Sequence, residues 1–282
     1  MPEFPTIEPE QELAAGATWL TRRVREAGVS RVIVGLSGGI DSAVTMLWSV
    51  RALGVNGVTA IAMPYGLLAP ARFAPSAATS LEHARVVAAQ APGLDYRELD
   101  IALTVDAEAD TSRLAAELQS APEDERLRWA LANLKARMRA VRLRYFANRL
   151  GGLVLGTENR TEHYLGYFTT GGDEESDLEI LGNYLKAEVV QLAEALGVPR
   201  EVIEKAPSAD LWTGQTAEGE LGFTYDEADH VLHLTNCSTE LTADAAARCS
   251  IDLATAERVL ERVRATEFKR AAKPVFPRSG IG

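Results

Sequence analysis

Apolar positions along the chain alternate between a helical pattern and a strand-like pattern. Near the N-terminus they recur every three or four residues, as in an amphipathic helix, at Leu13, Ala17, Leu20, Val24 and Ala27. Short apolar runs follow at about 31–36, 57–63, 95–101 and 152–156, with helical patterns between them. This alternation predicts a Rossmann-like α/β fold, in which a mostly parallel sheet carries helices on both faces.

The longest helical pattern covers residues 123–150. One stripe of this helix is apolar and consists of Leu127, Leu131, Leu134, Met138, Val141 and Tyr145. Two other stretches lack such a pattern. Pro64–Ser80 is rich in alanine and proline, and 206–224 has an extended character, so both are predicted to be loops.

The C-terminal part of the chain is predicted to be helical. Thr224 is followed three residues later by Glu227, a capping-box pattern that begins a helix. A final helix is predicted over about 252–268. At 282 residues the chain suits one large domain, so we expect residues 1–282 to form a single domain with a C-terminal helical extension.

The turn after the first apolar run carries the clearest chemical signal. Residues 32–48 read VIVGLSGGIDSAVTMLW, an apolar strand, a glycine-rich turn and a helix. Such a turn leaves backbone N–H groups pointing one way beside the positive end of the helix dipole, which predicts an anion site. Gly38 and Gly39 allow close backbone approach, and Asp41 can hold a magnesium ion between phosphates. A Walker A lysine is absent, so a lysine has to come from elsewhere.

A second candidate segment follows the fourth apolar run. Ligands of parallel sheets gather beyond the carboxyl ends of the strands, and we expect both Ser37–Ser42 and Gly156–Glu158 to lie there. Glu162 is one helical turn further on. With Asp41, it would complete the oxygen-rich, partly hydrated site that magnesium prefers.

Composition narrows the classes of partner. The formal net charge of −11 weakens the case for nucleic acid, because nucleic-acid-binding proteins usually carry a basic face. No apolar run approaches membrane-spanning length, and the acidic, proline-bearing start is not typical of a signal peptide. We therefore expect a cytoplasmic protein. Cys237 and Cys249 match no zinc pattern and are expected to be free thiols, with a disulfide left open.

Several strings match one family in order. The SGG-x-DS turn resembles the pyrophosphate loop of ATP pyrophosphatases, enzymes that release pyrophosphate from ATP and leave AMP on a substrate. GLSGGIDS, NLKARMR, GTENRTEHYLGYFT, GDEESD, a lysine nine residues later and APSADLWTGQTAEGELGFTYDEAD together resemble the ammonia-dependent NAD synthetase family. The resemblance covers about residues 10–275, and ordered matches of several strings are far more specific than any one of them.

This resemblance implies an adenine nucleotide alpha-hydrolase-like fold, ATP as co-substrate, Mg²⁺ held by Asp41 and Glu162, and a homodimer. Lys186 and Asp173 would be catalytic, the first on the ATP phosphates and the second near the ammonia. The implied ATP contacts are Gly35, Leu36, Ser37, Gly38, Gly39, Ile40, Asp41, Ser42, Thr157, Lys186 and Ser208. The implied contacts to the dinucleotide substrate are Arg137, Thr170, Asp177, Phe268 and Lys269.

The chain departs from the family pattern on the side of the second substrate. Thr170 stands where the family usually has lysine, and Phe268 stands where it has histidine. Every ATP and metal position is kept. Either nearby cations such as Arg270 and Lys273 compensate, or the substrate carries less phosphate than deamido-NAD.

The predicted function is an ATP-dependent amide ligase that forms AMP and pyrophosphate. A carboxylate oxygen is a poor leaving group, and transfer of AMP makes it a good one, so that ammonia, free or from a separate partner, can attack. The leading carboxylate is deamido-NAD, which gives NAD; the alternative is a paralogue that amidates another carboxylic acid. No protein nucleophile is required. His83 and His163 look isolated and receive no role.

Two further classes fit the sequence less well. A tRNA- or sulfur-modifying ATP pyrophosphatase would have reactive cysteines or a basic RNA-binding face, and the chain shows neither. A nucleotide-binding module without catalysis would have lost Asp41, Glu162 or Lys186, and all three are present.

Overall fold

The computed structural model describes residues 5–70, 72–73, 75–208, 211, 215–242, 245, 248–272 and 274. Within them, a parallel sheet has the strand order β3-β2-β1-β4-β5. Its strands are β1 Val32–Gly35, β2 Val58–Ala62, β3 Asp95–Glu98, β4 Leu153–Gly156 and β5 Leu178–Glu179. Each predicted apolar run contains one of the first four strands. β5 was not predicted, because two residues are too few to show a period.

Helices precede, separate and follow these strands. They are α1 Pro9–Glu26, α2 Ile40–Leu53, α3 Ala78–Ala89, α4 Ala102–Thr111, α5 Leu114–Ser120, α6 Glu125–Leu150, α7 Arg160–Leu165, α8 Lys186–Ala195, α9 Arg200–Ile203, α10 Ala217–Leu221, α11 Tyr225–Leu234, α12 Leu253–Ala265 and α13 Glu267–Arg270. A short 3₁₀ turn, Val55–Gly57, precedes β2.

The sheet is covered on both faces, because successive side chains of a strand point in opposite directions. Val32 and Val34 of β1 pack in one core with residues of α1, α2, α3 and α8. Ile33, between them, packs in a second core with residues of α4, α5 and α6. The predicted α/β fold with helices on both faces of a parallel sheet is therefore confirmed.

Helix α6 is confirmed, but the predicted apolar stripe is only partly buried. Leu131 is buried, whereas Val141 and Tyr145 are 58% and 53% exposed. Phe146 and Ala147, outside the predicted stripe, are buried instead. The reason is that α6 packs against α4 and α5 as well as β1 and β4. No single straight stripe therefore faces the protein along its whole length.

The predicted loops are largely confirmed. Where it is described, Pro64–Ser80 is irregular until α3 begins at Ala78. The stretch 206–224 is irregular where it is described, except for the five-residue helix α10. The predicted final helix is not continuous, because it ends at Ala265 and α13 resumes after Thr266.

The C-terminal helices form a third apolar core with α7. Helix α11 begins with the predicted capping box, in which the backbone N–H of Glu227 donates to Thr224 Oγ1 at 3.1 Å. Leu165 of α7 packs in this core with residues of α11 and α12. Cys237 is buried, Cys249 is partly buried, and both are free thiols. Within the described ranges, no helix is both long and apolar enough to cross a membrane.

Candidate active site

The glycine turn between β1 and α2 is held in shape by its own hydroxyl groups. Ser42 Oγ accepts the backbone N–H of Ser37 at 3.2 Å and donates to the carbonyl of Gly39 at 2.9 Å. Gly38 has a φ of +79°, and a Cβ on it would lie 1.9 Å from the carbonyl oxygen of Ser80, so only glycine fits. Gly39 caps α2 without a side-chain hydrogen bond. The first N–H groups of the helix are therefore placed to meet an anion.

A buried lysine and two carboxylates meet beside this turn. Lys186 begins α8, and its Nζ donates to Asp41 Oδ2 in the first turn of α2. The same Nζ is 3.9 Å from Glu162 Oε1 of α7. Asn159 Nδ2 donates to Asp41 Oδ1 at 2.8 Å. Residues 145 positions apart are thus in contact, because the segments after β1, β4 and β5 converge here.

Neighbouring charges in this cluster shift the pKa of Lys186 and the pKa of Glu162. Burial by itself lowers the pKa of Lys186, but the charges of Asp41 and Glu162 and the hydrogen bond to Asp41 outweigh it and raise that pKa. Burial, and then the charge of Asp41, raises the pKa of Glu162 well above its usual range, against the opposing effect of Lys186. The cluster therefore retains the lysine as a cation within a compact acidic site.

The donor set at this cluster is compatible with magnesium. Mg²⁺ binds proteins through one or two carboxylates and keeps several waters or phosphate oxygens. Asp41 and Glu162 are two such carboxylates, and both line a cavity of about 160 Å³ that has room for those further ligands. In the part of the chain described, no group of three or more histidine, cysteine, aspartate or glutamate side chains forms a metal cluster.

Two adjoining cavities open along the carboxyl edge of the sheet. The smaller contains the carboxylate–lysine cluster, and the larger, of about 470 Å³, reaches from the ends of β1, β2 and β4 towards α6. Side chains or backbone shared by both cavities are Ser37, Gly39, Thr157, Tyr167, Asp173, Lys205 and Ser208. Thus four of the predicted ATP residues, together with the predicted catalytic Asp173, lie where the cavities meet.

Asp173 and Lys269 both line the larger cavity, and their roles in binding stay predictions. Asp173 Oδ1 accepts the backbone N–H of Thr169 at 3.0 Å, and enclosure by protein raises the pKa of the Asp173 carboxyl. Lys269 Nζ donates to the carbonyls of Gly166 and Phe168 at 2.8 and 2.6 Å. Burial lowers the pKa of Lys269. The two charged groups thus face the same space from α13 and from the loop before β5.

Four predicted substrate residues do not line either cavity. Arg137 and Thr170 are exposed, and Arg137 Nε donates to the Thr170 carbonyl at 3.2 Å. Asp177 Oδ2 accepts the backbone N–H of Val154 at 2.8 Å and so ties the loop before β5 to β4. Phe268 is 74% exposed. A role for these four residues in binding stays a prediction.

Some residues of the site had no signal in the sequence. Lys205 lines both cavities and donates to Ser80 Oγ at 2.6 Å. His163 was considered isolated, which is wrong, since its Nδ1 lies 3.1 Å from Glu158 Oε1. Burial raises the pKa of Glu158. Such contacts depend on how loops and helix ends pack, which neither residue type nor spacing indicates.

Glu179 of β5 is a buried carboxyl group near the site. Its Oε1 accepts a hydrogen bond from Ser176 at 2.6 Å, while its buried Oε2 has no hydrogen-bond partner among the described residues. A Cβ on Gly156 would lie 1.8 Å from Glu179 Oε1, so the carboxyl group packs directly against this glycine. Burial raises the pKa of Glu179 to about 8.

Glu179→Gln is expected to stabilise the protein more at pH 8.5 than at pH 5. Between the ordinary carboxyl pKa of 4.5 and the folded value of about 8, the folded chain holds a proton that the unfolded chain has released. The stability of the parent therefore falls as pH rises through this window, and the glutamine variant lacks that loss. The melting-temperature difference between them should grow by at least about 2 °C, or about 1 kcal/mol.

Thermal unfolding at both pH values checks this expectation. Glu261→Gln, on an exposed position of α12, is the control and should show the same difference from the parent at both pH values. A constant difference for Glu179→Gln as well would contradict the raised pKa.

The fold and this site define a Rossmann-like protein. Its glycine turn follows β1, and the strand order of the sheet reverses between β1 and its neighbour β4. A sequence model of the NAD synthase family matches residues 12–273. The chain therefore belongs to the NAD synthase family. The interpretation of its ordered motifs as those of an ammonia-dependent NAD synthetase-like ligase is confirmed.

Individual relatives agree with this assignment. The NH(3)-dependent NAD(+) synthetase of Methanosarcina acetivorans is 40% identical over 254 residues, which cover 89% of this chain and 91% of that protein. The Methanopyrus kandleri enzyme of the same name is 39% identical over 281 residues, 97% of this chain and 93% of that one. A solved structure of NMN synthetase from Francisella tularensis has a TM-score of 0.75 at 28% sequence identity. The match covers 96% of this chain and 100% of the chain in that structure. The NH3-dependent NAD synthetase of Campylobacter jejuni, with a TM-score of 0.72 at 24% identity and the same coverage, shares the fold.

Proposed function

We propose that the protein uses ATP and ammonia to convert the carboxylate of deamido-NAD into the amide of NAD, with release of AMP and pyrophosphate. The observation that carries the proposal is the convergence of Asp41, Glu162 and Lys186 beside a glycine turn, in a chain of the NAD synthase family. The similar enzymes from Methanosarcina acetivorans and Methanopyrus kandleri are named for this activity.

The proposed reaction begins by making the carboxylate reactive. The substrate carboxylate attacks the α-phosphate of ATP, and pyrophosphate leaves. The turn Ser37–Ser42 would bind phosphate oxygens through its N–H groups, and Lys186 would neutralise the negative charge that develops on the leaving pyrophosphate. Ammonia then attacks the acyl carbon, AMP leaves, and the nitrogen gives up a proton. Asp173, at the junction of the two cavities, would bind the incoming nitrogen.

Asp41 and Glu162 would hold Mg²⁺ in this reaction. When bound, the ion neutralises phosphate charge and orients the phosphate oxygens. In the structure, Lys186 pairs with both carboxylates. Phosphate would give that ammonium a new partner, so no buried charge would be left without compensation.

The test of the proposal is pyrophosphate release from ATP and ammonium chloride with a panel of carboxylic acids that includes deamido-NAD. We expect deamido-NAD to give the highest kcat/KM, with NAD, AMP and pyrophosphate formed in equal amounts. Absence of turnover with deamido-NAD would refute the proposed substrate, and release of pyrophosphate with another acid would identify the true one.

A second candidate substrate is a smaller one, the nicotinate mononucleotide half of deamido-NAD. Two observations favour keeping it. The NMN synthetase from Francisella tularensis is similar over 96% of this chain, and Thr170 and Phe268 lack the positive charge and the imidazole that the resemblance would place beside a dinucleotide. This acid therefore belongs in the same panel.

We also propose that the protein is a homodimer joined through α6. Arg137, Val141 and Tyr145 are spaced four residues apart, so they share one exposed helix face. Val141 and Tyr145, exposed on the longest described helix, are suited to pack against the same residues of a second copy around a two-fold axis.

Val141→Glu is expected to shift the protein from dimer to monomer. The substitution places two like charges near the two-fold axis, where apolar side chains would otherwise be buried. Light scattering at micromolar concentration checks the mass, and Leu103→Glu is the control, because Leu103 is 71% exposed on α4. A parent protein that is already a monomer with full activity would contradict the proposed dimer.

A further inference from the structure

The backbone at the start of α8 is bound by groups from two other helices. The backbone N–H of Lys186 donates to Thr161 Oγ1 of α7 at 3.0 Å. The next N–H, of Ala187, donates to Asp229 Oδ2 of α11 at 2.7 Å. Leu185, the N-cap residue of α8, has no side-chain oxygen that could accept hydrogen bonds from these N–H groups. The position of Lys186 therefore depends on side chains from α7 and α11.

Thr161 and Asp229 are themselves joined. Thr161 Oγ1 donates its proton to Asp229 Oδ1 at 2.5 Å, so its lone pairs remain free to accept from Lys186. Asp229 thus uses one carboxylate oxygen for α7 and the other for α8. Both residues are 0% exposed. A buried carboxylate with such defined partners fixes geometry, because any other placement would leave polar groups unpaired.

The two helices joined in this way carry the candidate catalytic cluster. Glu162 follows Thr161 directly in α7, and Lys186 is the first residue of α8. Asp229 has no contact with the cavity and is 43 residues beyond Lys186 in the sequence. It lies in α11, whose apolar side is anchored in the C-terminal core.

We propose that Asp229, acting through Thr161, is a positioning residue that sets the location of Lys186 relative to Glu162 and Asp41. The inference rests on the proposed function for its catalytic consequence only. The C-terminal helices then have a role in the chemistry without contributing a group to the cavity. A small displacement of a catalytic group is sufficient to lower turnover strongly.

Thr161→Val is the sharpest test, because valine keeps the shape of threonine and removes the hydroxyl. Its matched control is Thr59→Val. Thr59 is also 0% exposed and also donates to an aspartate, Asp95 Oδ2 at 3.0 Å, but it lies near the start of β2, away from the carboxyl edge of the sheet. Both variants lose a threonine–aspartate hydrogen bond. Thr161→Val also leaves the backbone N–H of Lys186 without its acceptor, so its loss of stability should be the larger of the two.

We expect Thr161→Val to lower kcat for pyrophosphate release about 10- to 100-fold with a smaller change in the KM for ATP. Thr59→Val should keep kcat within about threefold of the parent, and Thr161→Ser, which restores the hydroxyl, should recover most of the loss. Asp229→Asn should resemble Thr161→Val, since an amide in place of Oδ2 cannot accept from Ala187.

A second measurement does not depend on turnover. The acylation rate of Lys186 by a reactive ester, followed by peptide mass spectrometry, should rise several-fold in Thr161→Val and Asp229→Asn but not in Thr59→Val. If the parent shows no turnover with deamido-NAD, the proposed function fails while the labelling rates still decide the positioning role. Labelling of Lys186 in Thr161→Val at the same rate as in the parent and in Thr59→Val would overturn the inference.

Discussion

Replacement of Asp41 by asparagine is expected to slow pyrophosphate release at least about 100-fold while the melting temperature changes by only a few degrees. Asparagine keeps the shape of aspartate, and its Oδ1 can still accept the hydrogen bond from Asn159 Nδ2, which is 2.8 Å long. The negative charge opposite Lys186 is lost, and with it one of two carboxylates that would hold magnesium. Glu162 remains 3.9 Å from Lys186 Nζ, so the buried ammonium keeps one partner.

Pyrophosphate release at saturating ATP, together with thermal unfolding, measures both parts of this expectation. Asp252→Asn is the control, because Asp252 also lies at a helix N-terminus, where its Oδ1 accepts the Thr255 N–H at 2.9 Å. Asp252 lines neither cavity, so Asp252→Asn should release pyrophosphate at the rate of the parent. A near-normal rate for Asp41→Asn would remove Asp41 from the proposed mechanism.

The fold was predictable where local patterns are strong. The apolar runs of β1, β2 and β4 are buried strands, and the order of strands and helices is sufficient to indicate a parallel sheet. The predicted stripe on α6 was partly wrong, because the helix meets several elements along its length and leaves Val141 and Tyr145 exposed. β5 is held in the sheet mainly by its neighbours, so its own residues carry no pattern.

The candidate site, like the fold, was predictable only in part. Ser37–Ser42 could be interpreted from sequence, because a glycine turn before a helix has the same geometry in many proteins. The placement of Lys186 against Asp41 followed only from the resemblance to a family, since no local rule joins residues so far apart. Lys205 and Asp229 were missed, because their importance lies in partners that folding brings to them.

We expect two exposed positions, Thr170 and Phe268, to influence which second substrate is used. Lys269 donates to the carbonyls of Gly166 and Phe168, so α13 is tied to the segment that leads to Thr170. Phe268 precedes Lys269 on α13 and is exposed. Thr170 and Phe268 therefore flank the same part of the molecule, beside the cavity residues Asp173 and Lys269.

Compensation by neighbouring cations is limited. Arg270 donates to the carbonyls of Tyr164 and Val263, each at 2.7 Å, so it would have to break these bonds to reach a substrate phosphate. Lys273 lies outside the described residues. Arg137 is exposed near Thr170 and is a cation that could meet a second phosphate.

Thr170→Lys/Phe268→His is therefore expected to raise kcat/KM for deamido-NAD at least about tenfold. One charge-assisted hydrogen bond contributes about 1.5–3 kcal/mol, and a tenfold change in affinity corresponds to about 1.4 kcal/mol, so one regained contact is sufficient. The value for nicotinate mononucleotide should change less, because it carries one phosphate fewer. Leu103→Lys, which adds a positive charge at an exposed position of α4, controls for net charge and should leave both values unchanged.

The parent enzyme's own preference decides between the two substrates. We expect the parent to use deamido-NAD measurably and the double variant to use it better, which would mean that Arg137, Asp177 and Lys269 suffice for the dinucleotide and that the two departures only weaken its binding. If the parent shows no turnover of deamido-NAD, uses the mononucleotide, and gains dinucleotide activity only in the double variant, then deamido-NAD is the wrong substrate. Thr170 and Phe268 would in that case be the residues that set specificity for the smaller acid, since restoring one positive charge and one imidazole would have changed the substrate without altering the adenylating site.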